Sequence, residues 1–176
     1  LKILILAQSR SGSTSLTKAI KTKTKMPMLY EPFKPMYSGQ HNDQALQIMN
    51  SSELLVKIVD SNFMFCDQFL DYRELTKYFD KVIGLTRSDS FENAKSKLVA
   101  EITDDWVSSY KKHNLDESIF ETDEYLIKLE DSKKHRNLIL SYDIFQTTYE
   151  DIYINKTGIE KIESYLGFSI ANELYS

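Results

Sequence analysis

Gln8-Ser9-Arg10-Ser11-Gly12-Ser13-Thr14 is a run of small polar residues with one cation, and the chemistry it offers is anion binding. It follows the apolar run Lys2–Ala7 and precedes Leu16, Ala19 and Ile20, which recur at helical spacing. A loop between a strand and a helix points several backbone N–H groups at one spot, at the positive end of the helix dipole. Phosphate or sulfate is the ligand such a spot takes. Arg10 adds a guanidinium that can pair bidentately with a terminal oxyanion.

The loop has the length of the nucleoside-triphosphate pattern G-x-x-x-x-G-K-[ST] but not its chemistry. The frame here reads Ala7, Gly12, Ser13, Thr14. Ala replaces the first Gly, and Ser13 replaces the Lys that would reach the β- and γ-phosphates. Arg10 sits mid-loop and cannot take that lysine's approach. The competing reading is a Ser-rich turn with no ligand.

A second constellation sits further on. Leu85-Thr86-Arg87 closes an apolar run, and the following helix carries Ser96 between Lys95 and Lys97. An Arg with a helix hydroxyl is a reasonable clamp for a separate phosphate. Two anion sites on adjacent strands suit a nucleotide phosphorylated at both ends.

Strands are predicted over Lys2–Ala7, Met28–Tyr30, Leu54–Val59, Lys81–Thr86 and Asn137–Ser141. Helices are predicted over 13–23, 44–49, 65–79, 91–110, 121–130 and 157–166. Strands alternating with helices argue a three-layer α/β domain, with a mostly parallel central sheet of about five strands flanked by helices. The whole chain, residues 1–176, reads as one such domain. Ligands then bind at the carboxyl ends of the strands, where Arg10, Glu31, Asp60, Arg87 and Tyr142 are expected. Lys57, in mid-strand, either reaches that site or points to solvent from an edge. Trp106 continues an apolar stripe and is expected in the core, and Cys66 is expected to be buried and inert.

The 176 residues are enough for a sizeable core, and 41% are hydrophobic. A net charge of −4, from 22 basic and 26 acidic side chains, disfavours a bulk nucleic-acid binder. The single cysteine cannot form an internal disulfide, which fits a reducing, cytoplasmic setting. No run approaches the ~18 apolar residues of a membrane span, and the short opening apolar run does not read as a signal peptide. Residues 101–131 carry ten acidic and three basic side chains, read as a solvated face or as a wall that selects a cationic or neutral acceptor.

Arg10-Ser11-Gly12-Ser13-Thr14-Ser15-Leu16 resembles the R-S-G-[ST]-[ST]-x-L loop of sulfotransferases that use 3′-phosphoadenosine 5′-phosphosulfate (PAPS). Arg87 and Ser96 look like that family's 3′-phosphate motif. Ala100-Glu101-x-Thr103-x-x-Trp106 resembles its bacterial glycolipid-type branch, and Glu31-Pro32 the segment that supplies a base in carbohydrate-type members. Tyr142-Asp143 resembles a late Tyr-[ED] strand end, and Ile159–Leu166 with Gly167 a closing helix. The likeness runs over most of the chain, which is short for the family. The acceptor pocket is therefore expected to be open or completed by a partner subunit.

The resemblance implies a P-loop-like fold and sulfuryl transfer from PAPS to an acceptor hydroxyl. The acceptor would be a small molecule, carbohydrate or glycolipid, and adenosine 3′,5′-bisphosphate would be released. It implies no metal, no nucleic acid and no membrane span, and leaves room for a homo-oligomer. Arg10 and the N–H groups of Ser11, Gly12, Ser13, Thr14 and Ser15 would hold the phosphosulfate. Arg87 with Ser96, or Lys95 in its place, would hold the 3′-phosphate. The base would be Glu31, held on extended backbone by its neighbouring prolines, or else His41. Two other classes remain: a P-loop-type nucleotide kinase or NTPase, favoured by Asp60 after an apolar strand, and a non-catalytic nucleotide-binding module.

Overall fold

The computed structural model describes residues 1–34, 39–59, 72–106 and 110–175. Its strands are β1 (Lys2–Ala7), β2 (Met28–Tyr30), β3 (Leu54–Val59), β4 (Lys81–Thr86) and β5 (Phe145–Thr148). Its helices are α1 (Ser13–Thr24), α2 (His41–Asn50), α3 (Tyr72–Thr76), α4 (Ser90–Thr103), α5 (Asp123–Leu140), α6 (Gly158–Leu166) and α7 (Ala171–Tyr175). The five strands form one parallel sheet in the order β2-β3-β1-β4-β5. β1 pairs along its length with β3 on one side and β4 on the other.

Alternation along β1 divides the core between the two faces. Ile3, Ile5 and Ala7 pack with Leu16 and Ile20 of α1 and with Ile159, Ile162 and Leu166 of α6. Leu4 and Leu6 pack with Ile48 of α2, Leu75 of α3 and Ile139 of α5. Each fully buried aliphatic side chain contributes about 1.5–3 kcal/mol. With helices on both faces, β1 is fixed at the centre, and the loop after Ala7 opens at the carboxyl edge of the sheet.

Several expectations need correction. Asn137–Leu140 is not a strand but the last turn of α5. Thr122 caps that helix by accepting from Tyr125 N, and of the run Leu138-Ile139-Leu140 only Ile139 is buried. One buried side chain in three is a helical period, not a strand buried on both faces. The last strand is Phe145–Thr148, which carries the aromatic Phe145 and the β-branched Thr147 and Thr148. Tyr142 consequently precedes that strand and lies at the opposite edge from the expected site.

α4 stops at Thr103, short of the predicted Tyr110, because Asp104 turns left-handed at φ 53°. Asp104 and Asp105 also put negative charge at the negative end of the helix dipole. Trp106 therefore leaves the stripe and is 49% exposed, not core. His41, expected in a loop, opens α2 and is buried. Asp60, Cys66 and residues 65–71 of the helix predicted over 65–79 lie outside the described residues, and the described part is helical only over Tyr72–Thr76. Among the described residues no helix is long and apolar enough to cross a membrane.

Candidate functional site

The loop after β1 is shaped by two left-handed residues, Arg10 at φ 63° and Gly12 at φ 77°. A side chain at Gly12 would be excluded twice over. The conformation disfavours it, and a Cβ would lie 2.4 Å from the Tyr153 ring. Ser15 N and Leu16 N donate to the Gly12 carbonyl at 3.1 and 3.2 Å, so α1 begins with the amides of Ser11 to Thr14 unused by the described residues. The buried Ser11 hydroxyl likewise has no hydrogen-bond partner among the described residues. Unspent donors at a helix N-terminus, under a glycine that admits close approach, fit a phosphate or sulfate.

Lys57 settles into this site. Its strand lies between β2 and β1, so it is not an edge lysine. Its side chain is buried, and its ammonium donates to Thr14 Oγ1 at 3.0 Å, Tyr30 OH at 2.7 Å and Glu31 Oε1 at 2.8 Å. It also lies 4.1 Å from the Tyr30 ring centroid. Thr14 and Tyr30 share a further hydrogen bond of 2.8 Å. A cation thus reaches the loop from a neighbouring strand, where the Lys of the nucleoside-triphosphate pattern would have come from the loop itself.

Glu31 is buried, and its other oxygen pairs with Lys34 at 2.5 Å. Burial alone would raise its pKa, but Lys57 and Lys34 outweigh that and hold the carboxyl below its ordinary value. Its backbone is not extended as expected but left-handed, at φ 51°. The cause is local. Glu31 N donates to the Lys57 carbonyl at 2.8 Å, continuing the β2–β3 ladder, and Lys34 N closes a turn on the Glu31 carbonyl at 3.2 Å. Pro32 supplies the fixed φ that a turn's second residue needs. His41 lies behind this turn, with Nε2 3.0 Å from the Lys34 carbonyl and its ring edge-on to Phe33.

The second constellation is assembled from three elements. Arg87 packs 4.3 Å over the Tyr149 ring, with Nε 3.7 Å from Glu150 Oε1 and Nη1 3.4 Å from the Glu92 carbonyl. Glu150 also accepts from Ser88 N at 2.9 Å. The Tyr-acid pair that follows the last strand is therefore Tyr149-Glu150. Its sequence is a Tyr-[ED] pair like Tyr142-Asp143, and only the position of β5 distinguishes the two. Ser96 is buried on α4 and accepts from Arg10 Nε at 2.8 Å. Lys95 turns instead to the Phe120 ring, 4.9 Å away.

A buried polar network joins the two constellations. Gln8 accepts from Arg87 N at 2.9 Å and donates to the Ser132 carbonyl at 2.8 Å. Ser132 donates to Asn93 Oδ1, and Asn93 donates to the Ser9 carbonyl, each at 2.8 Å. Tyr153 OH donates to the Gly12 carbonyl at 2.7 Å and stacks at a tilt on Tyr149, 5.0 Å between centroids. Gln8 and Asn93 each stand among other polar residues, and no spacing signal singles them out as buried linkers.

The architecture is the P-loop NTPase-like α/β fold shared by kinases and sulfotransferases. Solved structures that share it include the following three. Shikimate kinase from Bacteroides thetaiotaomicron aligns at TM-score 0.59 and 10% identity, over 96% of this chain and 99% of that one. Deoxyadenosine kinase from M. mycoides, with bound dATP, aligns at 0.51 and 18%, over 95% and 100%. A mouse sulfotransferase complexed with PAP aligns at 0.54 and 15%, over 99% of this chain and 61% of that one. No family model matches the chain, and no curated protein matches it by sequence. At these identities the likeness extends to the fold.

Proposed function

We propose that the chain is a PAPS-dependent sulfotransferase acting on a hydroxyl of a small molecule, carbohydrate or glycolipid. The observation that carries this reading is the pairing of two cationic sites across one sheet edge. One is the Ser11–Thr14 amides with Lys57, and the other would be formed by Arg87, which is braced by Glu150, and by Ser96, which is hydrogen-bonded to Arg10. A nucleotide with phosphate at both ends of its ribose would engage both. A nucleoside triphosphate would need only the first, and there Ser13 stands in place of the usual Lys.

The donor supplies the sulfuryl group when bound and leaves as adenosine 3′,5′-bisphosphate. The amides of Ser11 to Thr14 would hold its 5′ end and meet the charge that builds on the bridging oxygen. The Lys57 ammonium, fixed by three hydrogen bonds, would add charge there without reorganising. Glu31, ionised at neutral pH, would accept the acceptor proton as the new O–S bond forms and the bond to the 5′-phosphate breaks. Arg87, braced by Glu150 and Tyr149, would hold the 3′-phosphate.

Calorimetry with metal-free adenosine 3′,5′-bisphosphate, set against ATP with Mg²⁺, tests this reading. Binding of the bisphosphate without metal is expected. Arg87→Ala should weaken it by about 1.5–3 kcal/mol, the scale of a hydrogen bond to a charged group. Mg²⁺-dependent ATP binding with none for the bisphosphate would replace this reading by the kinase one.

A further inference from the structure

Tyr153 belongs to neither anion constellation by sequence, yet its hydroxyl reaches into the first. It stands on a single π-helical turn, Glu150–Ile154, which follows the last strand and is closed by Asn155 N on the Glu150 carbonyl at 2.8 Å. From that turn it donates to the Gly12 carbonyl at 2.7 Å, across 141 residues of chain. We propose that Tyr153 is a positioning residue, whose bond to the Gly12 carbonyl aims the Ser13 amide at the nucleotide's 5′ group. This rests on the reading above, in which the loop holds that 5′ group.

The Gly12 carbonyl and the Ser13 N–H belong to one planar trans peptide unit and point in opposite directions. A donor held on the carbonyl therefore fixes where the amide points. Such a restraint matters at a glycine, which enters and leaves its left-handed φ of 77° at little cost. Ser15 N and Leu16 N reach the same carbonyl at 3.1 and 3.2 Å, but both move with α1. Tyr153 ties it to a separate element. That element is itself held at several points. Glu150 accepts from Ser88 N at 2.9 Å, Asp151 N donates to Thr148 Oγ1 at 3.1 Å, and Tyr175 OH donates to the Ile152 carbonyl at 2.7 Å. The Ile152 side chain is buried in the core beneath β1. Burial raises the Tyr153 pKa, so the phenol stays protonated and remains a donor at neutral pH.

The test is calorimetry and thermal melts on the wild type, Tyr153→Phe and Tyr175→Phe, with adenosine 3′,5′-bisphosphate, adenosine 5′-phosphate and adenosine 3′-phosphate as probes. Tyr153→Phe keeps the ring that packs on the core and deletes only the hydroxyl. It should lose about 3–10-fold on the bisphosphate and on the 5′-phosphate, the scale of one hydrogen bond, and less than about 2-fold on the 3′-phosphate. Tyr175→Phe deletes a phenol-to-carbonyl bond of the same length on the same turn, but not on the loop. It should lower Tm comparably and leave all three affinities within about 2-fold of the wild type. A general loosening of the fold would lower Tm in both variants without separating the 5′- from the 3′-phosphate. Equal losses on the two monophosphates in Tyr153→Phe, equal losses in the two variants, or wild-type affinity for the 5′-phosphate in Tyr153→Phe would each overturn the inference and leave the sulfotransferase reading intact. A wild type that binds none of the three nucleotides would overturn the reading and this inference together.

Discussion

Replacing Lys57 by Met isolates the centre of the site, because Met keeps much of the length and apolar stem and deletes the ammonium. The ammonium has three oxygen partners. Two of them, Thr14 Oγ1 and Tyr30 OH, keep each other at 2.8 Å after its removal. The third, Glu31 Oε1, loses its partner inside the protein, where the side chain is 8% exposed. Stripping one member from a buried pair costs about 3–5 kcal/mol when the remaining charge is uncompensated. Here Lys34 stays 2.5 Å from the other carboxylate oxygen. The cost should therefore fall to about 2 kcal/mol, near that of one hydrogen bond to a charged group. For a chain of this size that lowers Tm by roughly 4–8 °C. Thermal melts of Lys57→Met, Glu31→Gln and the double variant complete a cycle, with an expected coupling of at least about 1 kcal/mol. A Lys57→Met melt equal to the wild type, or additive losses in the double variant, would refute the claim that this amine and carboxylate hold each other at the loop.

Glu31→Gln should leave bisphosphate affinity nearly unchanged and lower kcat by about 10²–10⁴, with His41→Ala taking the smaller loss. The reverse order, in rates measured with any competent acceptor, would move the base to His41. Because the Glu31 carboxyl is held below its ordinary value, its stabilisation is complete above the unfolded carboxyl's value and is lost as pH falls through the lower folded value. Melts from pH 7 downward should thus show this contribution intact to about pH 5, and Glu31→Gln should flatten the loss below it. An unchanged acid profile in the variant would show that Glu31 titrates as an ordinary carboxyl. Gly12→Ala meets both a left-handed backbone and the Tyr153 ring. It should destabilise by about 1–3 kcal/mol and abolish bisphosphate binding, and wild-type calorimetry in that variant would show that the loop does not need this geometry.

The sequence by itself determined four of the five strands and the places of the Ser11–Thr14 loop and of Arg87 after two of them. Lys2–Ala7, Leu54–Val59 and Lys81–Thr86 are short apolar runs bounded by polar residues, and that local pattern is enough to place a buried parallel strand. Ser11–Thr14 and Arg87 follow such runs directly, so their position at one sheet edge was legible once the strands alternated with helices. Tertiary structure decided the rest. Leu138-Ile139-Leu140 reads equally as strand or helix from its own residues, and the cap at Thr122 together with the packing of Ile139 made it helix. That choice moved the last strand to Phe145–Thr148 and brought Tyr149 and Glu150 to Arg87 in place of Tyr142. Lys57 had two open fates, and pairing of its strand on both sides, with Thr14, Tyr30 and Glu31 above it, selected the inward one. Arg10 is written inside its loop, but its left-handed backbone and the Ser96 hydroxyl on α4 decide where its side chain lies. Hydrophobic period is a property of neighbours in the chain, whereas the partner of a buried polar group comes from whichever element the fold sets against it.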